Sequence, residues 1–332
     1  MGAEGRRLYL HIGRNKAGST TLQDFCAARA GWLAAQGIEY VLYGHLAGSV
    51  TGLRSFETHY ELLRAFEAGR GSMLASNEVI AGYPPAMALR MAGDLAAVDA
   101  RVIFYVRPYR DWVRSNYAYE SRGGVNGKDF DTFLEGMRGR VSFLPAAQIW
   151  GGLLGWERVR VRSTAAADLA GGDLVTDFCA ALGVAAPGDF AGRSNAAAHW
   201  MVVELLRALA GADDGRLWDR HRLAIAEALH ELADVAVAEL GFAESDAVYF
   251  TPGEAAALAD AWNEDVRVLA DLSGCSLARD DFGCGPARPF LPSAAQVPRE
   301  VLRRVAALAA RPDYARLHPE MAAYARLRGW GG

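Results

Sequence analysis

The stretch Leu8-Tyr9-Leu10-His11-Ile12-Gly13-Arg14-Asn15-Lys16-Ala17-Gly18-Ser19-Thr20-Thr21-Leu22-Gln23 reads as a strand, a glycine-bounded turn and a helix start. Leu8 to Ile12 is a short apolar run, fit for a buried parallel strand. Gly13 and Gly18 bracket the turn, and without Cβ atoms they let backbone N–H groups approach an anion. Ser19, Thr20 and Thr21 add hydroxyl donors where the helix begins, and Lys16 places a positive charge inside the turn. The helix is expected from Thr20 to Gln36, with Leu22, Phe25, Cys26, Ala30 and Leu33 on one face and Gly37 as its stop. The stretch is built to hold phosphate.

The spacing Gly13-x4-Gly18 matches the first part of the common nucleotide P-loop, but Ser19 stands where that motif requires Lys. This argues against an ATP- or GTP-splitting site. With its lysine in mid-turn, Asn15-Lys16-Ala17-Gly18-Ser19-Thr20 resembles the 5′-phosphosulfate loop of sulfotransferases that use 3′-phosphoadenosine 5′-phosphosulfate (PAPS). The usual form of that loop is close to Pro-Lys-Thr-Gly-(Ser/Thr)-Thr, so Asn15 replaces Pro and Ala17 replaces the first Thr. The resemblance implies a donor site from Arg14 through Asn15, Lys16, Ala17, Gly18, Ser19 and Thr20 to Thr21, with Ala17 limited to backbone contacts.

Three further segments carry the same resemblance. Arg101 to Val106 reads as a central strand that Pro108 ends, placing Arg107 at its tip, and Ser115 follows about two turns into the next helix. Arg107 and Ser115 match the pair by which sulfotransferases hold the donor's 3′-phosphate, one through charged hydrogen bonds and one through a hydroxyl. Ser72 to Glu78 reads as a small-residue strand ending in a polar cluster, and side chains at the carboxyl end of a parallel strand line the ligand crevice. Ser76-Asn77-Glu78 resembles the Ser-x-Glu of bacterial sulfotransferases, where the acid lies close to the acceptor. Arg193 and Asn195 resemble the Arg-x-Asn element of the same group, which implies that Arg193 closes over the donor and Asn195 fixes the loop.

Size and composition fit one catalytic domain. The chain has 332 residues, of which 52% are apolar, and no run approaches the ~20 apolar residues of a membrane span. Met1 to Arg7 is charged and a strand follows at once, unlike a signal peptide, so a cytoplasmic enzyme is expected. A net charge of −4 argues against a general nucleic-acid binder. Cys26, Cys179, Cys275 and Cys284 form no CxxC pair, and no ligand cluster suggests a metal. Cys26 and Cys179 lie on apparent core faces, whereas pairing of Cys275 with Cys284 is undecided.

Along the rest of the chain, Ile38 to Tyr43 reads as a strand and Phe56 to Ala68 as a helix, with His45 and His59 in or beside it. Tyr119 to Arg140 is polar and broken by glycines. Helices are expected over Phe130 to Met137, Pro145 to Leu154 and Gly172 to Leu182. Arg158 to Arg162 alternates as an edge strand with solvated arginines. Helical periodicity dominates from His199, and a proline-containing connector from Pro286 leads to a basic amphipathic tail.

The expectation is a P-loop-like three-layer α/β fold with a central parallel sheet: a domain over residues 1–285, helical from about 199, then a tail over 286–332. By the resemblance it is a PAPS-dependent sulfotransferase that releases adenosine 3′,5′-bisphosphate (PAP). The acceptor is a hydroxyl of a carbohydrate or small metabolite. Lys16 neutralises the bridging oxygen, and Glu78 is the first choice of base with His59 the second. A homodimer is compatible with the resemblance, though no residue specifies one. A P-loop kinase and a nucleotide-binding scaffold without transfer are the alternatives.

Overall fold

The computed structural model describes residues 5–44, 52–122, 128–188, 203 and 249–280. Arg193, Asn195, His45, Cys284, the expected helices between Trp200 and Leu240 and beyond Pro298, and the tail lie outside them.

Six parallel strands form one sheet in the order β3-β2-β4-β1-β5-β6. They are β1 (Leu8–His11), β2 (Ile38–Tyr43), β3 (Ser55–Phe56), β4 (Ser72–Ser76), β5 (Ala100–Val106) and β6 (Val159–Ser163). Strand β1, which leads into the glycine-bounded turn, is central, with β4 and β5 in register on either side. A parallel sheet covered on both faces requires strands that are apolar throughout, and β1, β4 and β5 are buried almost end to end.

Strand alternation then sorts side chains between two helical layers. Tyr9, Tyr40, Leu42, Leu74, Ile103 and Tyr105 pack with Leu22 and Phe25 of α1 (Ser19–Ala28), Leu33 of α2 (Ala30–Ala35) and Phe178 and Leu182 of the α8 helix (Leu174–Leu182). On the other face α4 (Pro85–Leu95) packs against α7 (Leu144–Leu154), and Phe104 meets Phe143 edge to face at 6.5 Å. This is the expected three-layer α/β arrangement.

The remaining helices are α3 (His59–Ala68), α5 (Tyr109–Arg122), α6 (Phe130–Met137) and α9 (Pro252–Ser273), numbered among the described residues. The chain divides into two compact units. The first, Met1–Trp112 with Ser142–Ala196 and Leu258–Asp281, holds the sheet. The second takes Val113–Val141, Ala197–Ala257 and Phe282–Gly332. Its described part is an aromatic cluster in which Tyr117 stands edge to face with Phe130 at 5.1 Å and with Tyr249 at 5.5 Å.

Several elements differ from expectation for local reasons. The first helix is two, meeting at Arg29, and the bend brings Trp32 edge to face with Phe25 at 6.0 Å. Phe56 pairs with Tyr43 as strand, and α3 starts only at His59 behind a capping box of Thr58 and Glu61. The helix after Pro108 runs on to Arg122, past the Tyr119 where a polar loop was expected.

The arginines of β6 are not simply solvated. Arg162 forms a bidentate pair with Asp177 of α8, a carboxylate with no exposure, which also accepts the Tyr105 hydroxyl and the Ala170 N–H at 3.0 Å. Arg160 donates at 2.7 Å to the Ala181 carbonyl in the last turn of α8. Both residues stitch the edge strand to a helix. The hydrogen bond to Asp177 holds the Arg162 pKa up, while burial, reinforced by Asp177, pushes the Tyr105 hydroxyl up. Cys26 and Cys179 are buried free thiols, as their core-face positions imply, and Cys275 is free and half-buried.

Replacing Asp177 with Ala leaves Arg162 and Tyr105 facing a buried void, with an expected cost of about 3 kcal/mol, toward the low end for a broken buried pair because Arg162 is partly exposed. Asp177→Asn, which retains an acceptor oxygen, is expected to cost less. Urea unfolding of the three proteins checks the order, and equal midpoints contradict it.

Candidate functional site

The loop after β1 is defined by three residues in left-handed backbone, Gly13 at φ 55°, Lys16 at φ 62° and Gly18 at φ 84°. Lys16 is the one non-glycine residue with positive φ among the described residues, a conformation that costs a side-chain-bearing residue on the order of 1 kcal/mol. The surroundings hold it there. Arg107 Nη1 donates to the Lys16 carbonyl at 3.3 Å, and Trp112 Nε1 donates to the Asn15 carbonyl at 2.9 Å. Ala17 N–H closes a turn onto the Arg14 carbonyl at 3.0 Å, and the Ser19 hydroxyl reaches the same carbonyl at 3.4 Å.

Three consecutive carbonyls, of Arg14, Asn15 and Lys16, are thus committed to protein donors. Gly18 caps α1 in the left-handed region and supplies no side-chain cap. The first-turn N–H groups of Ser19 and Thr20 have no carbonyl one turn back to bond, so the helix start presents donors and the positive end of its dipole. Ser19 and Ala17 are buried, Lys16 and Gly18 half-buried, and Asn15 and Thr20 exposed. Such a cradle accepts an anion.

Gly13 is required by space as well as by φ, and Gly18 chiefly by φ. A Cβ on Gly13 would come within 2.7 Å of both Glu78 Cβ and Ser19 Oγ, whereas one on Gly18 would meet only the movable end of the Leu174 side chain. The Gly13 contact shows that Glu78, just past β4, lies directly against the loop. Arg107, just past β5, bonds it from the next strand on the other side. The ends of β4, β1 and β5 therefore bring Glu78, the Lys16 loop and Arg107 together, as strand order in a parallel sheet dictates.

Arg14 is 7% exposed, and its guanidinium carbon lies 3.5 Å above the Trp112 ring and 5.9 Å from that of Tyr109. Burial lowers its pKa to about 10, with Tyr109 and Asp265 opposing, so it stays a cation at neutral pH. Its charge lies at the loop, on an aromatic bed.

His59 is in different surroundings. Its Nε2 lies 2.9 Å from Asp94 Oδ2 on α4, its ring is tilted against that of Tyr60 with centroids 4.0 Å apart, and the hydrogen bond lowers the Asp94 pKa. These contacts tie α3 to α4 rather than to the loop. Ser115 is half-buried on α5, in the second unit. Among the described residues no cluster of metal-ligand side chains occurs.

Sequence reasoning missed His11, Gln23 and Trp112. His11 has no exposure, its Nδ1 lies 2.8 Å from Ser76 Oγ, and Gln23 Nε2 lies 2.6 Å from Glu78 Oε2 and 3.3 Å from Ser76 Oγ. Asn77, 2% exposed, donates to the Tyr43 carbonyl at 3.3 Å and accepts Val79 N–H at 3.0 Å, fixing the chain that carries Glu78. The polar tip of β4 was visible in the sequence; its partners on β1 and α1 were not.

No family model matches the chain, and no curated protein matches it. Among solved structures, the crystal structure of a sulfotransferase from Alicyclobacillus acidocaldarius is similar over 82% of this chain and 98% of that one, at 16% identity and a TM-score of 0.44. A likeness that distant has no bearing on activity.

Burial depresses the His11 pKa from 6.5 to about 3. Below pH 6.5 the unfolded chain takes up a proton that the folded chain refuses, so this contribution to stability is present above pH 6.5 and lost as pH falls toward 3. Unfolding free energies measured from pH 7 to pH 4 for wild type and His11→Asn are expected to converge as the pH drops. A constant difference contradicts a neutral buried His11.

Proposed function

We propose that the chain is a PAPS-dependent sulfotransferase that moves a sulfuryl group to the hydroxyl of a carbohydrate or small metabolite. One observation carries the reading: a strained Lys16, locked in the middle of an anion cradle by Arg107 and Trp112, with Glu78 against the cradle on the other side. The cradle suits a 5′-phosphosulfate, and Arg107 suits a second anionic group, the 3′-phosphate that sets this donor apart from ATP.

In this reading Ser19, Thr20 and their N–H groups hold the 5′-phosphate. Lys16 neutralises the bridging oxygen as its bond to sulfur breaks. Glu78 takes the acceptor's proton as the acceptor oxygen bonds to sulfur, and PAP leaves with the bridging oxygen. Arg14 adds fixed positive charge at the loop. His59, engaged with Asp94, is second to Glu78 as base. Ser115, Arg193 and Asn195 join the donor site through the sequence resemblance alone. The proposal includes a cytoplasmic enzyme that needs no metal, takes no nucleic acid and is compatible with a homodimer. No helix among the described residues is long and apolar enough to cross a membrane.

A P-loop kinase needs its lysine at position 19, where this chain has Ser19. Calorimetric titration with PAP and with ATP separates the readings. Wild type is expected to bind PAP more tightly than ATP, and Arg107→Ala, with its fold checked by circular dichroism, to weaken PAP about 10- to 100-fold, the range for a lost charge-assisted hydrogen bond. Preference for ATP, or no binding by folded wild type, overturns the reading.

A further inference from the structure

Behind Glu78 lie three polar side chains that donor binding and proton removal do not use. β1 ends on His11 and β4 on Ser76, paired in register, and Gln23 faces Ser76 and Glu78 from α1. The contacts form one continuous line: Glu78 Oε2 to Gln23 Nε2 at 2.6 Å, the same nitrogen to Ser76 Oγ at 3.3 Å, and Ser76 Oγ to His11 Nδ1 at 2.8 Å.

The proton inventory fixes the sense of the Gln23 contacts. An ionised carboxylate only accepts, so Gln23 must present its amide nitrogen, not its oxygen, to Glu78. The second hydrogen on that nitrogen is directed to Ser76 Oγ. Ser76 accepts from Gln23, and its own proton is available to His11 Nδ1, which accepts it when the ring proton sits on Nε2.

The far end agrees. His11 Nε2 has no hydrogen-bond partner among the described residues, and the ring stands edge to face with Tyr105 at 5.9 Å and Phe178 at 5.6 Å. Beside aromatic rings an N–H without an oxygen or nitrogen acceptor is still weakly favourable. Complete burial keeps the imidazole neutral, so it does not become a donor at both nitrogens.

We propose that Gln23 is the positioning residue of Glu78, and that Ser76 and a neutral, Nε2-protonated His11 hold its amide in the donating sense. The proposal rests on the reading of Glu78 as the base. Gln23 commits one carboxylate oxygen and so fixes the plane of the carboxylate and the direction from which it takes the acceptor's proton. Turning the amide over would set its oxygen against the carboxylate and require a proton that Ser76 has already given to His11.

The full chain tests this with Gln23→Leu, Glu78→Gln and the double variant, measuring PAP affinity by calorimetry and PAPS-dependent transfer to a panel of phenols and sugars. PAP affinity is expected to stay within about threefold throughout. For Gln23→Leu, kcat is expected to fall about 10- to 100-fold with little change in KM for the donor, and the double variant to be no slower than Glu78→Gln alone. Unchanged kcat in Gln23→Leu, or independent multiplying losses, overturns the proposal while leaving Glu78 as base. Full activity in Glu78→Gln removes the base assignment and this proposal with it.

A second readout needs no acceptor. Nitrogen-15 spectra of histidine-labelled protein are expected to show His11 as the Nε2–H tautomer with no titration between pH 5 and 8. An Nδ1–H tautomer, or a titration near pH 6.5, overturns the proposal whether or not an acceptor has been found.

Discussion

Two side-chain donors that follow β5, Arg107 and Trp112, grip consecutive carbonyls of the loop that follows β1. The rest of the site depends on that grip. Lys16 sits in a backbone conformation that it would not choose alone, and with the Arg14, Asn15 and Lys16 carbonyls engaged by protein, the turn is stabilised in one sense before any ligand arrives. The cost of the left-handed lysine, on the order of 1 kcal/mol, is offset by hydrogen bonds of about 1 kcal/mol each. Pre-organisation of this kind favours a reaction whose acceleration comes from placing charge rather than from covalent chemistry.

The sheet explains why so few residues suffice. β4, β1 and β5 are neighbours in register, so residues that follow the end of each come to the same crest without a long loop to order. The two faces then serve different purposes. The α1/α2/α8 side buries an aromatic core with two polar intrusions, the His11–Ser76 line under the site and the Asp177–Arg162–Tyr105 cluster at the β6 edge. Each intrusion is hydrogen-bonded through residues distant in sequence, and each ties a helix to the sheet in one register.

Legibility in the sequence followed the range of the physics. The strand, turn and helix from Leu8 to Gln23 are encoded by hydrophobic run, glycine spacing and hydroxyl cluster, all local, and the structure has them where the pattern places them. Glu78 and Arg107 could be placed at strand ends because parallel strands point their carboxyl ends the same way. Gln23 and His11 could not be read, since a buried His on a strand and a Gln on a helix acquire meaning only when β1 pairs with β4. The same holds for Trp112, whose indole N–H finds a carbonyl in the loop, and for Arg162, whose alternation suggested a solvated edge while its partner Asp177 sat on a helix further along. The late start of α3 was a local signal passed over, since Thr58 and Glu61 form a capping box.

The central claim is that this loop holds the 5′-phosphate of a 3′-phosphorylated adenosine nucleotide. A crystal structure of the complex with PAP tests it most directly. The account predicts 5′-phosphate oxygens within about 3 Å of Lys16 Nζ and of the Ser19 and Thr20 N–H groups, with the Arg107 guanidinium on the 3′-phosphate. A nucleotide seated away from the loop, or a 3′-phosphate that Arg107 does not touch, would contradict it.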